Sequence, residues 1–271
     1  MKAAVLGKPV AHSLSPTLHN AAYHALGLSH EYSAIEVAES ELVEFVANLD
    51  STWLGLSLTM PLKEVAFDIA QTCDDLAVQS GAINTLIFAN GIHGYNTDVL
   101  GIIDAVTENG LTNIDTMSIF GSGATARSAL LAASNIGAKS VDVVARNVSD
   151  SAKLHDLALS LDMDLRVCAV TQSNWLQADL VINTTPVGVL DEIAKEVFKP
   201  KGLLLDVVYD PWPTQLAACW STNGGNVLSG LTMLLHQAGH QITLMTGQPA
   251  PLTEMRAALN LELLDRGLST I

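Results

Sequence analysis

Phe120-Gly121-Ser122-Gly123-Ala124-Thr125-Ala126 decides the fold of this chain. These seven residues follow an apolar run at 117–120, open a helix-forming run, and carry the spacing G-x-G-x-x-G/A at that junction. Gly121 permits a tight turn, Gly123 lets backbone N–H groups approach a pyrophosphate, and Ala126 allows the helix to pack close on its strand. The partial positive charge of a helix N-terminus adds to the preference for an anion. An ordinary strand-turn-helix built of small residues is the competing reading, and the residues downstream separate the two.

Roughly 25 residues further on, Val143-Val144-Ala145-Arg146-Asn147 ends the next strand, where an enzyme for NAD places Asp or Glu to hold the ribose 2′-hydroxyl. Here Ala145 is followed by Arg146, whose guanidinium can grip a 2′-phosphate bidentately and stack on adenine. Arg146 with Asn147 therefore favours NADP over NAD, against the plain alternative of a solvated surface charge. Asp142 lies inside the strand, too early to reach a ribose. Strands expected at 117–120, 141–145, 165–169, 179–182 and 203–207 alternate with helices beginning near Ala124, Ser149, Ser173 and Ile193. That alternation is the pattern of a doubly wound parallel sheet.

The first half has a different rhythm. A strand at 2–7 leads to a helix that Ser15-Pro16 would cap and Gly27 would close. A strand at 30–37 precedes a helix over 41–49 with Ser40 as its cap. A buried strand at 53–59 turns at Pro61 into a helix through Ile69. Segments 82–89 and 92–95 flank Asn90-Gly91, the signal of a type I′ hairpin. A helix at about 98–109, ended by Gly110, bridges to the second half, and helices at 231–246 and 252–264 should fold back onto the first. The expected fold class is α/β with two domains. Residues 1–103, completed by 237–271, form a mixed, mostly parallel open sheet with helices; residues 104–236 form a Rossmann-like NADP domain.

Composition bounds the function. A length of 271 residues suits two domains at about 150 residues each. With 49% apolar and only 15% charged residues, the chain can cover a large core on both faces of its sheets. The net charge of −15 argues against nucleic acid or an anionic membrane as partner. No run approaches the roughly 18 apolar residues of a membrane span, and Gly7, Lys8 and Pro9 interrupt the N-terminal apolar stretch before a signal-peptide core develops. Cys73, Cys168 and Cys219 are scattered without metal-ligand spacing, as in reduced thiols of a cytoplasmic protein. A small molecule is the expected partner, and the chain is expected to be a monomer or homodimer.

Three polar constellations remain. Ser13-Leu14-Ser15 sets two hydroxyls beside free helix N–H groups, which suits either a carboxylate ligand or a simple cap. Lys63, expected in the first turn of a helix, opposes the helix dipole there; alone it reads as a surface charge. Asn84-Thr85 and Asn96-Thr97-Asp98 stand on either side of the hairpin, with Asp98 able to cap the bridging helix or to face Lys63.

In order along the chain, these segments resemble the shikimate dehydrogenase family. The resemblance runs over Ser13-Leu14-Ser15-Pro16 with His19-Asn20, Thr59-Met60-Pro61-Leu62-Lys63, Ala82-Ile83-Asn84-Thr85, Asn96-Thr97-Asp98 with Gly101, and the glycine loop. It continues through Ile182-Asn183-Thr184-Thr185-Pro186-Val187-Gly188, Asp206-Val207-Val208-Tyr209-Asp210-Pro211 and Gly230-Leu231-Thr232-Met233-Leu234-Leu235-His236-Gln237-Ala238. The resemblance implies reversible, NADPH-dependent reduction of 3-dehydroshikimate to shikimate, with Lys63 and Asp98 as the catalytic pair. It implies that Ser13 and Ser15 hold the substrate carboxylate, and that Thr59, Asn84, Asp98, Tyr209 and Gln237 surround the ring. It assigns Gly121, Ser122, Gly123, Ala124 and Thr125 to the pyrophosphate, Arg146 and Asn147 to the 2′-phosphate, and Thr184, Val207, Gly230 and Met233 to the nicotinamide side. No metal is implied.

The chain departs from the family pattern at Ser57, where Asn is usual, at Ala145 and Asn147 flanking Arg146, at Ala124 in the glycine loop, and at Asp150, where a second basic residue is common. An NAD-dependent quinate/shikimate dehydrogenase is the nearest alternative. A non-catalytic sensor of shikimate and nucleotide is the alternative outside enzymes, and it would need neither Lys63 nor Asp98.

Overall fold

Buried apolar runs with short turns between them give two separate sheets. The computed structural model describes residues 1–145 and 151–271, and they divide into two units, Met1–Gly101 with Leu234–Ile271, and Ile102–Met233.

The first unit begins β1 (Lys2–Gly7), α1 (Ser15–Ala25), β2 (Glu31–Glu36), α2 (Leu42–Ala47) and β3 (Trp53–Leu58). It continues with β4 (Thr72–Cys73), α3 (Asp75–Ser80), β5 (Thr85–Phe88), β6 (Ile92–Tyr95) and the start of α4 (Thr97–Glu108). The sheet order is β2-β1-β3-β5-β6-β4. Strand β1 is parallel to β2 and β3, β5 is antiparallel to β3 and β6, and β4 is parallel to β6. Strands β1 and β3 are central and buried on both faces, which is why they read as continuous apolar runs. Leu6, Leu56, Leu58, Leu62, Ile83 and Leu86 pack one face.

This topology gathers loops at one edge. Strands β1 and β3 end there, antiparallel β5 starts there, and β6 ends there. Backbone bonds tie the edge together: Thr59 N–H to Leu6 O at 2.9 Å, Leu58 N–H to Asn84 O at 2.7 Å, and Asn84 N–H to Tyr95 O at 3.0 Å.

Several local expectations are corrected. Ser15 is the first helical residue of α1, not its cap; Leu14 holds the cap position, and Ser13 Oγ accepts the Ser15 N–H at 3.2 Å. Ser40 lies within a 3-10 turn, Glu39–Glu41, where the Glu41 carboxylate accepts from Ala38 N–H at 2.7 Å. After Pro61 the chain makes a turn and a short 3-10 segment, Val65–Asp68, instead of an α-helix. Its branched and aromatic residues Val65, Phe67 and Ile69 favour the α-helix weakly, and all three turn toward the apolar cluster. The hairpin is present, but Phe88 pairs with Ile92, so residues 89–91 form a three-residue connection instead of a type I′ turn. A two-residue turn at Asn90-Gly91 would slip the register by one and send Ile92 to the opposite face, away from the core it packs with Phe88.

The second unit alternates β7 (Thr116–Phe120), α5 (Ala124–Asn135), β8 (Ser140–Val144), α6 (Ala152–Ser160), β9 (Asp164–Cys168) and β10 (Leu180–Asn183). There follow α7 (Asp191–Ala194), β11 (Leu203–Asp206), α8 (Gln215–Thr222) and β12 (Asn226–Ser229). All pairs are parallel in the order β12-β11-β10-β7-β8-β9. The winding reverses between β7 and β10, and ligands of such sheets bind beyond the strand ends at that switch. The helix expected at Ser173 is instead two 3-10 turns, Val170–Gln172 and Trp175–Gln177. Ser173 Oγ and Asn174 N–H both donate to Asp142, at 2.9 and 3.3 Å, and Trp175 is buried edge-on to Phe120. These anchors hold the backbone out of a regular helix. The helix expected near Ser149 begins outside the described residues, and α6 is described from Ala152.

The last two helices are α9 (Gly230–Thr246), which starts in the second unit and ends in the first, and α10 (Leu252–Asp265), which packs on α1 within the first.

Candidate active site

Lys63 and Asp98 are 35 positions apart in sequence, and the shared sheet edge brings them together. Lys63 follows β3 in the turn, and its carbonyl accepts from Ile83 N–H at 2.8 Å, tying that turn to the loop before β5. Asp98 follows β6 as the second residue of α4. Its backbone N–H donates to Asn96 Oδ1 at 3.0 Å, so Asn96 does the capping and the Asp98 carboxylate is left for other partners. Lys63 Nζ donates to Asp98 Oδ2 at 2.5 Å, with the side chains 14% and 7% exposed. The expectation that Lys63 opposes a helix dipole does not hold, because it stands in a turn, with the Asp98 carboxylate as its ion-pair partner.

Asn84 supports the pair. Its Nδ2 donates to Asp98 Oδ1 at 2.8 Å and to Thr97 Oγ1 at 2.9 Å, while its Oδ1 accepts from Thr97 N–H and Thr85 Oγ1, both at 2.8 Å. Thr59 is half-buried one residue beyond β3, on the same edge. Ser13 is half-buried and Ser15 buried, in the loop and first turn beyond β1. Gln237 is buried in α9 and donates to Leu234 O of its own helix at 2.9 Å. The structure thus joins Lys63, Asp98 and Asn84 directly, and sets Ser13, Ser15 and Thr59 on the loops of the same edge. Tyr209 belongs to the second unit, half-buried after β11.

Sequence reasoning missed a second layer. Gln241 of α9 donates from Nε2 to Thr85 Oγ1 at 2.9 Å, and its Oε1 accepts from Ser57 Oγ at 2.7 Å and from His19 Nε2 at 3.1 Å. Tyr32 Oη donates to Ser57 Oγ at 2.6 Å and stacks on the His19 ring at 3.8 Å. Burial lowers the His19 pKa to about 3, so the ring is neutral; its buried Nδ1 has no partner while Nε2 faces the Gln241 oxygen, which places the one ring proton on Nε2. The available signal was two glutamines four residues apart on a helix rich in apolar residues: a buried amide needs partners. Asn20, in the family pattern beside His19, brackets Tyr32 instead, accepting its N–H and donating to its carbonyl, both at 2.9 Å.

In the second unit the glycine loop lies at the switch point. Gly121 has φ +111°, and a Cβ there would strike Thr184 Oγ1, whose proton bonds Phe120 O at 2.8 Å. Gly123 caps α5 with an ordinary φ of −80°, no side-chain bond to the helix start, and nothing within 4 Å of an added Cβ. The protein itself has no need of a glycine at 123. A ligand approaching the uncapped N–H groups of Ala124 and Thr125 would, and the half-buried Ser122 stands beside them. The donor set and the open space fit a pyrophosphate. Gly230 presses against the Val207 backbone, where a Cβ would overlap the Val207 carbonyl, and Met233 is buried one turn on. The loop beyond β11 is held by buried Asp206, which accepts from Asn183 Nδ2 at 2.9 Å, Thr214 Oγ1 at 2.7 Å and Val208 N–H at 3.1 Å. Burial raises its pKa, and these three bonds oppose the rise. Arg146 and Asn147 lie outside the described residues.

The chain is similar to known proteins of one family. Residues 5–86 match the model of the shikimate dehydrogenase substrate binding domain, and residues 230–259 match that of the shikimate 5'-dehydrogenase C-terminal domain. The shikimate dehydrogenase (NADP(+)) of Streptococcus pneumoniae (strain Hungary19A-6) is 32% identical, with 95% of each chain covered. The crystal structure of Mycobacterium tuberculosis shikimate dehydrogenase superposes with a TM-score of 0.88 at 39% identity, covering 96% of this chain and 99% of that one. The Thermus thermophilus shikimate 5-dehydrogenase, solved in complex with NADP(H) and shikimate, gives 0.85 at 29% identity, with 96% and 99% covered.

Proposed function

The chain belongs to the shikimate dehydrogenase family, and on that premise we propose that Lys63 and Asp98 carry out the reversible interconversion of shikimate and 3-dehydroshikimate with NADP(H). The observation that carries the assignment of roles is the shielded Lys63–Asp98 pair at 2.5 Å, braced by Asn84. When bound, the nicotinamide supplies or accepts the hydride at C3.

In the reducing direction negative charge grows on the C3 oxygen. Lys63, as ammonium, donates a hydrogen bond to that oxygen, stabilises the charge and delivers the proton; in the oxidising direction it takes the proton back. Asp98 holds the ammonium with Oδ2 while Asn84 secures Oδ1, so the carboxylate cannot turn away. Asp98 also offers an acceptor to the neighbouring ring hydroxyl. Ser13 and Ser15 bind the substrate carboxylate, and Thr59, Asn84, Tyr209 and Gln237 contact the ring and its hydroxyls. The backbone from Gly121 to Thr125 holds the pyrophosphate, Arg146 and Asn147 take the 2′-phosphate, and Thr184, Val207, Gly230 and Met233 line the nicotinamide.

Steady-state kinetics of Lys63→Ala tests this reading. The expected loss is about 10²–10⁴-fold in kcat, with a much smaller change in the KM for shikimate, since the interaction strengthens mainly in the transition state. Lys63→Arg should recover little, because guanidinium has a different shape and does not release its proton. A folded Lys63→Ala enzyme with normal kcat would move the proton-transfer group elsewhere.

A further inference from the structure

We propose that Gln241 is a positioning residue for the reacting pair, acting through Thr85 and Asn84; the proposal rests on the assignment of Lys63 and Asp98 as that pair. The hydrogen bonds from Gln241 to Asp98 run in one direction. Tyr32 Oη donates to Ser57 Oγ, which frees the Ser57 proton for Gln241 Oε1. His19 Nε2 donates to the same oxygen, so the Gln241 amide has one orientation and its Nε2 must face Thr85 Oγ1. Thr85, accepting there, directs its own proton to Asn84 Oδ1. That bond, with the one from Thr97 N–H, keeps Asn84 Nδ2 on Asp98 Oδ1.

Reversing the Asn84 amide would set its oxygen against the Asp98 carboxylate. The relay prevents that, and each donation polarises the next toward the carboxylate. Water cannot replace a link: His19 and Thr85 are fully buried, Gln241 is 1% exposed and Asn84 2%. Gln241 lies on α9, whereas every other member stands on α1, on the sheet, in its edge loops or in the first turn of α4. The glutamine therefore fixes the orientation of the pair from a helix that supplies neither reacting group.

The test measures kcat and the KM for shikimate, with saturating NADP⁺, for Gln241→Met, Thr85→Val and Thr85→Ser, alone and combined with Lys63→Ala. Breaking one buried link should lower kcat about five- to thirtyfold while the KM moves less than about threefold. Gln241→Met and Thr85→Val should show similar losses, and together no more than the larger of the two, because they cut one relay. Thr85→Ser keeps the hydroxyl and should recover most of the rate lost in Thr85→Val, which a packing defect would not predict. In the Lys63→Ala background Gln241→Met should cost almost nothing further. Additive losses, the same loss without Lys63, or an unchanged kcat in Gln241→Met would overturn the relay while leaving the pair intact. Lys63→Ala at full kcat would instead remove the pair and the relay with it. If Gln241→Met does not fold, the contrast between Thr85→Val and Thr85→Ser decides: equal rates in the two would overturn the proposal.

Discussion

Replacing Gly123 by alanine separates what the fold requires from what the cofactor requires. Gly123 has φ −80° and open space where a Cβ would go, so the folded protein takes alanine without strain. Alanine is a poorer helix cap than glycine by up to about 1 kcal/mol, and it restricts the unfolded chain by about 0.4–1 kcal/mol; the two nearly cancel. The melting temperature should therefore stay within about a degree or two of the unmutated protein. The added methyl would occupy the space the pyrophosphate needs and displace at least one charge-assisted N–H bond, worth about 1.5–3 kcal/mol. That corresponds to a rise of about 10- to 150-fold in the NADPH dissociation constant. Gly121→Ala is the opposite case. At φ +111° an alanine stores about 1–3 kcal/mol of backbone strain, and it drives Thr184 off the Phe120 carbonyl for about 1 kcal/mol more. It should lose stability as well as affinity. NADPH fluorescence titration and thermal melts, run on both variants, make the comparison. A Gly123→Ala protein that binds NADPH normally would refute the assignment of this loop to the pyrophosphate.

Ser15→Ala should raise the KM for shikimate about 10- to 150-fold, for a hydrogen bond lost to a charged group, with little change in melting temperature, since Ser15 does not cap α1. Ser13→Ala should lose both affinity and stability, because Ser13 Oγ accepts the Ser15 N–H; a normal KM in Ser15→Ala would remove that serine from the site. Buried His19 has its pKa lowered to about 3, against about 6.5 when unfolded, so between those values the unfolded chain binds the extra proton. The stability it contributes is complete above about pH 6.5 and is lost as pH falls toward about 3, by up to about 1.4 kcal/mol per pH unit. Denaturant titrations from about pH 7 to about pH 5 should show a shallower decline for His19→Gln than for the unmutated protein, and parallel declines would contradict the neutral buried ring.

The sequence was most legible where one physical requirement dominated. Strands β1, β3, β7, β10 and β11 are buried on both faces, so their apolar runs stand out. The glycine loop announced itself because Gly121 needs a positive φ and sits at a strand-to-helix junction. Helix α3 went unread although Asp74 caps it, accepting from Ala77 N–H at 2.8 Å, and Gly81 ends it at φ +60°. Its six residues are too few to show a helical stripe. Strand β4 has only two residues, below the length at which alternation carries information, and the four residues of β12 run from exposed to buried without alternating. The segment after Pro61 misled in the other direction: Val65, Phe67 and Ile69 are apolar enough to suggest a buried helix, yet they reach the core from a 3-10 turn.

The site was legible as residue types and illegible as contacts, for a reason rooted in topology. No spacing rule connects Lys63 with Asp98, because the residues between them include a strand, a helix and a hairpin. Their meeting depends on β5 running antiparallel to β3, so that the start of one strand and the end of the other share an edge. An additional parallel crossover would have carried Asn84 to the far edge and left Lys63 without its carboxylate. Gln241 is further still from sequence reasoning, since it comes from a helix that rejoins the first unit after the whole of the second, Ile102–Met233. Its signal was energetic: a glutamine with 1% exposure must find bonds for both ends of its amide. Following those bonds leads through Thr85 and Asn84 to Asp98. The same reasoning explains Ser57, which departs from the usual Asn of its family. Within this chain its hydroxyl is the right length to accept a hydrogen bond from Tyr32 and donate one to Gln241, at 2.6 and 2.7 Å. A longer amide in that position would have to displace Tyr32 or Gln241, so the departure at 57 and the glutamine at 241 are two parts of one arrangement.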